Sequence, residues 1–375
     1  MNVEYYSSLA LVTSVVVYVL AMVAHAGEWA AARRIAADET ADAVTAADGS
    51  PPGAASARTA GERAGAETAT ALAAVRAGGA ASSRPAEAPP AAASDIAKLG
   101  NAGGGARAGA ESGSGTDAGS EASARLQRID RFGRMGLSLT VLAWLLSVAG
   151  VVLRGVAAHR APWGNMFEFT TTAMVLVVAG YLILVWRVGV RWLGLPITLL
   201  AAVGNGLAVT VFYVAVAPLV PALHSVWFLI HIVAAAISGA AFNVGGLMSV
   251  LYLLKKRAED RGTVRGYLAR VPSARRIDVI TYRLHAFAFP LWTFTVAAGA
   301  IWAEYAWGRY WGWDPKETWA LVTWVIYACY LHARSTAGWR GRRAAVIAIV
   351  GLASFWFNFV GINLLVSGLH SYAGV

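Results

Sequence analysis

The chain has 375 residues, of which 57% are hydrophobic and 14% charged. Soluble domains carry about 25% charged residues, so this balance excludes an ordinary soluble enzyme and points to lipid. The net charge of +10 is not a nucleic-acid footprint, because the cations sit in loops between apolar runs, as in a membrane protein oriented by cytoplasmic Lys and Arg.

The first apolar run, 5–26, resembles a signal peptide at Ala24-His25-Ala26. However, the segment before it lacks Lys and Arg and holds Glu4, whereas Arg33 and Arg34 follow the run. The pattern predicts an uncleaved anchor, residues 1–30, with its N-terminus outside. Residues 31–125 are rich in Ala, Gly, Ser and Pro, without aromatic residues or apolar periodicity. Such a segment buries too little surface to offset its chain entropy, so it reads as a disordered cytoplasmic linker.

Residues 126–375 then read as one membrane domain, with spans at about 136–156, 167–186, 193–217, 223–254, 284–303, 318–335 and 344–366. Each is long enough, or nearly so, to cross about 30 Å of hydrocarbon. The expected fold is therefore all-α and polytopic, with about eight transmembrane helices and both termini outside. The alternation leaves 26 of the 31 Lys and Arg on cytoplasmic segments. It leaves outside only Arg154, Arg160, Arg309 and Lys316, an asymmetry that sets the orientation. The single cysteine, Cys329, excludes an internal disulfide and a CxxC pair. Thiol chemistry must therefore use cysteines of a partner or substrate.

Between the sixth and seventh spans, within residues 304–319, lies Trp307-Gly308-Arg309-Tyr310-Trp311-Gly312-Trp313-Asp314-Pro315-Lys316-Glu317-Thr318-Trp319. Scattered Trp at span ends are usually interfacial anchors. Here four Trp, at 307, 311, 313 and 319, alternate with glycines and lead into Asp-Pro. Asp314 suits an N-cap and Pro315 a first helical turn. The expectation is a rigid aromatic shelf ending in a capped helix, suited to a flat apolar ligand with charged edges. Arg309 and Lys316 are the cations placed to meet such edges.

Histidines in a membrane protein are candidates for function. His231 falls near the outer end of the fifth span and His370 just beyond the eighth, both flanking the Trp-rich loop. Two neutral imidazoles on opposite faces of a haem would complete six-coordinate iron. His332 lies 13 residues after Trp319, about 20 Å deeper along a helix, too far to ligate the same iron. His25 and His285 read mainly as packing residues, His224 as a cap or a neighbour of His231, and His159 as a solvated loop residue.

The Trp-rich segment resembles the WWD signature of the CcsA/ResC family of system II cytochrome c biogenesis. Agreement extends to Pro221-Ala222-Leu223-His224-Ser225 with Trp227 and His231, to Tyr330-Leu331-His332-Ala333-Arg334, and to Gly368-Leu369-His370-Ser371-Tyr372. Pro162-Trp163-Gly164-Asn165-Met166-Phe167-Glu168 is a looser match. The resemblance covers roughly 135–375 and omits the linker. It implies a haem-binding membrane subunit of a cytochrome c synthase, or haem lyase, handling haem b. It makes His231 and His370 the outer axial ligands, and His332 a ligand at an inner receiving site. It further implies a CcsB/ResB-type membrane partner, apocytochrome c CxxCH segments as clients, and thiol-reducing thioredoxin-like proteins acting indirectly. The expected location is the plasma or inner membrane, with the haem site outside. Two other readings stay open on the residues alone: a b-type electron-transfer cytochrome, and a non-haem permease.

Overall fold

The computed structural model of the chain describes residues 3–48, 114–336 and 338–370, and every regular element among them is helical. In chain order these are α1 (Val3–Asp48), α2 (Ser114–Ala158), α3 (Met166–Val188), α4 (Gly194–Thr210), α5 (Val226–Asp260), the short α6 (Tyr267–Arg270), α7 (Ala274–Trp307), α8 (Pro315–Ser335), α9 (Arg342–Trp356) and α10 (Ile362–Leu365). Single 3₁₀ turns occupy Arg191–Leu193 and Pro221–Leu223, and a π turn over Phe357–Gly361 joins α9 to α10.

Among the described residues, seven helical stretches are long and apolar enough to cross a membrane. The chain is an all-α, multi-pass membrane protein. The remaining expected span, the seventh, is α8, which is 21 residues long but less apolar, since Thr, Trp, Tyr, His332 and Arg334 dilute its aliphatic residues. It packs between α7 and α9, where Thr323, Tyr327 and Tyr330 are buried.

Several boundaries differ from the apolar runs. Helix α1 continues to Asp48 and α2 begins at Ser114, so both ends of the segment expected to be disordered are helical, as its alanine content favours. Residues 49–113 of that segment lie outside the described residues. The span expected over 193–217 ends as helix at Thr210; the chain then runs without regular structure to Val220. Pro218 and Pro221 bar helix there, and alternating Val and Ala favour extended backbone.

The long α5 is the hub of the bundle, packing against α3, α7 and α9. Several of its buried positions are small: Ala234, Ser238, Gly239, Ala240, Gly245, Gly246 and Ser249. Small residues let helices approach closely where lipid removes the hydrophobic drive to associate. Rings fill the notches. A Cβ on Gly239 would lie 2.7 Å from Phe355, one on Gly245 2.7 Å from His285, and one on Gly351 of α9 2.9 Å from Tyr327. Phe242 stacks on Tyr327 at 3.8 Å and 4°, forming the centre of an aromatic core with Trp292 and Phe355.

Local signals set the helix ends that matter for the site. Asn165 caps α3, accepting from Glu168 N at 2.9 Å. Gly308, at φ 68°, ends α7 in the left-handed conformation that a C-terminal cap requires. Asp314 and Glu317 form a reciprocal capping box at the start of α8, with Pro315 in the first turn. The start of α1, the end of α2, the starts of α3, α5 and α8 and the end of α7 meet at one end of the bundle, called the site end below.

Candidate functional site

At the site end, His231 lies in the second turn of α5, whose start is capped by Ser225. His231 Nδ1 is 2.8 Å from the carbonyl oxygen of Thr295 in α7. Gly299, one turn further along α7, makes room for the ring: a Cβ there would lie 2.7 Å from Nδ1. His370 follows α10, and its Nδ1 is 2.8 Å from Asp314 Oδ2. A carbonyl and a carboxylate only accept. Nδ1 of each imidazole therefore donates, and Nε2 is the nitrogen not engaged in these contacts.

Asp314 joins three pieces of chain. Oδ2 accepts from Lys316 N at 3.2 Å, and Oδ1 accepts from Leu369 N at 2.8 Å. Burial raises its carboxyl, but hydrogen bonds from His370 and the Leu369 and Lys316 amides outweigh that and hold it at about 2. An ionised carboxylate thus orients His370 from behind.

Both histidines border one cavity of about 1170 Å³, counting its open mouth. Its wall is largely aromatic and aliphatic, with Trp163, Met166, Phe228, Trp292, Trp302 and Trp311 among its residues. The polar side chains facing it include Lys316, Glu317, Asn358 and Asn363. Glu317 is committed to the amides of Gly312 and Asp314 at 2.9 and 3.1 Å. The π turn of residues 357–361 places Asn358 and Phe359 on the cavity, the kind of local irregularity often found at functional sites.

Trp302, 2% exposed, links the two imidazoles. Its indole lies nearly parallel to His231, with centroids 5.8 Å apart at 21°, and meets His370 edge-on at 5.5 Å. The Trp302 Nε1–H donates to Ala222 O at 2.8 Å. The sequence reading did not single out Trp302. The available signal was a Trp in the last turns of a span one turn beyond Gly299, a small residue that makes room on the same helix.

The structure divides the residues expected on the shelf. Trp311 and Lys316 line the cavity. Trp307 stands behind it, meeting both Trp302 at 4.9 Å and His370 at 4.8 Å. Trp313 is 68% exposed, at φ 57°, and touches Trp311 edge-on. Trp319 packs on Phe357 at 4.3 Å, and Arg309 folds over Gly312. The Trp-rich loop is therefore one wall rather than a continuous shelf. Trp302 and Trp292 of α7, and Trp163 before α3, complete it. Trp311 and Trp313 lie in the irregular stretch before α8, where Trp313 takes a positive φ, whereas Trp319 lies within α8 and packs on Phe357.

The other histidines are separate. His332 is exposed on α8. His285 is fully buried among Phe242, Tyr327 and Tyr330. His25 is buried, with Nε2 3.4 Å from Thr140 Oγ1, and His224 and His159 are exposed. Among the described residues, no group of three or more His, Cys, Asp and Glu side chains is arranged to hold a metal ion alone.

An all-helical membrane bundle with two pre-oriented imidazoles on one aromatic cavity defines a class of multi-pass membrane protein carrying a two-histidine site at one end. More specifically, the chain belongs to the family described as Cytochrome C assembly protein, whose profile matches residues 132–370. The cytochrome c biogenesis protein CcsA of Mesostigma viride is 35% identical over 271 residues, 65% of this chain and 87% of that protein. That of Gloeobacter violaceus is 33% identical over 303 residues, 67% and 89% of the two chains. That of Chlamydomonas reinhardtii is 45% identical over 155 residues, 41% and 43%. These likenesses bear out the resemblance read from the Trp-rich loop and its flanking histidines.

Proposed function

We propose that this protein is a haem-binding subunit of a cytochrome c synthase. It holds haem b at the outer face of the plasma or inner membrane, between His231 and His370, and presents it to the CxxCH segment of apocytochrome c. The observation that supports this reading most directly is the pair of imidazoles on one cavity. Both have Nδ1 tied to a fixed acceptor and Nε2 left for iron.

The residues present fit the group. The donors are two imidazole nitrogens, the wall is apolar and aromatic, and Lys316, whose ammonium is pushed down by burial to about 7, offers a group that a carboxylate edge would hold protonated. When bound, haem supplies the vinyl carbons to which client thiols add. The chain's own residues supply position and environment. Asp314 and Thr295 orient the imidazoles, and Trp302 and Trp311 keep the cavity apolar. With only Cys329, this chain supplies no thiol pair of its own. The thiols come from the client, kept reduced indirectly by thioredoxin-like proteins.

His332 is proposed to serve an earlier, inner stage. Its exposed position on α8 calls for cover from elsewhere in a membrane, where an uncovered imidazole is costly. A CcsB/ResB-type partner subunit is the proposed source of that cover.

The test is the visible spectrum of the purified protein and of His231→Ala and His370→Ala. Wild type is expected to show a low-spin, two-imidazole haem. Each variant is expected to lose that signature and at least tenfold of its cytochrome c assembly, with added imidazole restoring part. If both variants keep the wild-type spectrum and assembly, the ligand assignment is wrong. A permease without haem would show no Soret band at all. A b-type electron-transfer cytochrome would keep its haem but have no effect on client maturation.

A further inference from the structure

A second set of charged groups lies behind the cavity, and the proposed function has not used it. Arg154, near the end of α2, and Glu168, in the first turn of α3, are 1% and 0% exposed. Arg154 Nε donates to Glu168 Oε1 at 3.1 Å, and Nη1 to Glu4 Oε1 in α1 at 3.0 Å. Its Nη2 donates to the carbonyl of Val214. Arg160 Nη1 reaches Glu168 Oε2 at 2.6 Å, and its Nη2 reaches Ala217 O at 3.3 Å. Two backbone amides complete the set. Gly164 N donates to Glu168 Oε2 at 2.8 Å, and Val216 N donates to Glu4 Oε1 at 2.9 Å. Two cations and two anions balance, and nearly every donor has an acceptor. That is the arrangement a buried charge cluster needs to survive away from water.

The cluster grips two irregular segments. One is 160–168, which carries Trp163, Gly164, Asn165 and Met166 on the cavity wall. The other is the irregular stretch 211–220, which has no helix or sheet to hold it and leads into the turn Pro221–Leu223. Both segments converge on Trp302. Trp163 and Leu223 pack in the cluster around it, and Ala222 O accepts its indole N–H. Trp302 in turn touches both imidazoles. We infer that the buried Arg154–Glu168 pair, joined by Glu4 and Arg160, is the positioning device of this site: it sets the two segments that seat Trp302, and through Trp302 the mutual geometry of His231 and His370.

Glu4 gives this inference a second consequence. It lies in α1, outside the residues 132–370 that match the family profile. Helix α1 is therefore part of the site's support as well as a membrane anchor. The link to haem rests on the proposed function; the clamp on the two segments does not.

The experiment has two arms on the intact chain in lipid nanodiscs, using wild type, Glu168→Gln, Glu4→Gln and Asp278→Asn. Asp278 pairs with Arg334 in a separate ion pair remote from this cluster and serves as the control. Without added haem, hydrogen exchange is followed by mass spectrometry. Glu168→Gln is expected to exchange at least tenfold faster over 160–168 and 211–224, with the buried parts of α5 and α9 unchanged. Glu4→Gln should show a smaller rise, mainly over 211–224. With haem bound, the same two variants should lose the wild-type low-spin spectral and magnetic-resonance signature in the same order, while Asp278→Asn keeps it. A uniform rise in exchange across the bundle overturns the inference, because it marks general destabilisation. So does wild-type exchange in both segments, or loosened segments with an unchanged haem signature. If Glu168→Gln fails to fold, Glu4→Gln decides, since Glu4 is partly exposed. A wild-type protein that takes up no haem sinks the proposed function, while the exchange arm still decides the clamp.

Discussion

Asp314 serves three neighbours: the first turn of α8, the backbone at Leu369 and the imidazole of His370. Asn caps a helix about as well as Asp, so Asp314→Asn separates these roles. The variant is expected to keep its helix content and abundance but to lose several-fold of its bound haem, measured as haem per protein, because a neutral amide holds the imidazole more weakly. Asp314→Ala should also lose the cap, costing about 1 kcal/mol. The carboxyl is held at about 2, below its ordinary 3.8. Its stabilising contribution is therefore complete above the ordinary carboxylate range and is lost only as pH falls toward 2. A second residue-scale prediction concerns Gly299. A Cβ there would sit 2.7 Å from His231 Nδ1, whereas one on Gly180 meets nothing within 4 Å. Gly299→Ala is expected to displace the imidazole and reduce haem content several-fold, at an overpacking cost of about 1–3 kcal/mol. Gly180→Ala should bind as wild type. Equal haem content in the two variants would show that the niche is not needed.

At the scale of elements, the apolar runs located the bundle helices well because their length is imposed by the bilayer. The start of α8 was legible in Asp314-Pro315, since capping chemistry is local. The end of the fourth bundle helix was not. Residues 211–217 are apolar enough to read as membrane span, yet they leave the helix, and Arg154, Arg160 and Glu4 take their backbone groups. Those partners are remote in sequence and cannot be seen in a window of hydropathy. The π turn at 357–361 was equally hidden, since nothing in Phe-Asn-Phe-Val-Gly marks it. The Ala- and Gly-rich segment belongs to this scale too. Deleting residues 49–113 is expected to leave membrane insertion and cytochrome c assembly unchanged, because their composition offers no aromatic or packable face. Assembly lost at normal protein abundance, in a strain complemented by the deletion, would assign that segment a task.

For the whole molecule, the separation of His332 from the two-histidine cavity defines a prediction about order. His332→Ala is expected to lower haem at the His231–His370 site through poor supply. His231→Ala should leave uptake at the inner stage intact when the partner subunit is co-expressed. Haem occupancy and spectral type in each variant decide it. Full occupancy and full assembly in His332→Ala would reduce His332 to a surface histidine. By itself, the sequence determined the fold class and the rough limits of most membrane helices, and pointed to the two histidines and the Trp-rich loop proposed as the site. All of these follow from patterns carried in short stretches: bilayer-length apolar runs, cation asymmetry, and a dense local motif. Only the tertiary structure decided which tryptophans face the cavity, that Trp302 joins the imidazoles, that Asp314 and Thr295 orient them, and that a buried charge cluster reaching back to Glu4 holds the wall. Those facts depend on which side chains far apart in the chain come within a few ångströms, and such proximity is settled by helix packing rather than by neighbours in sequence.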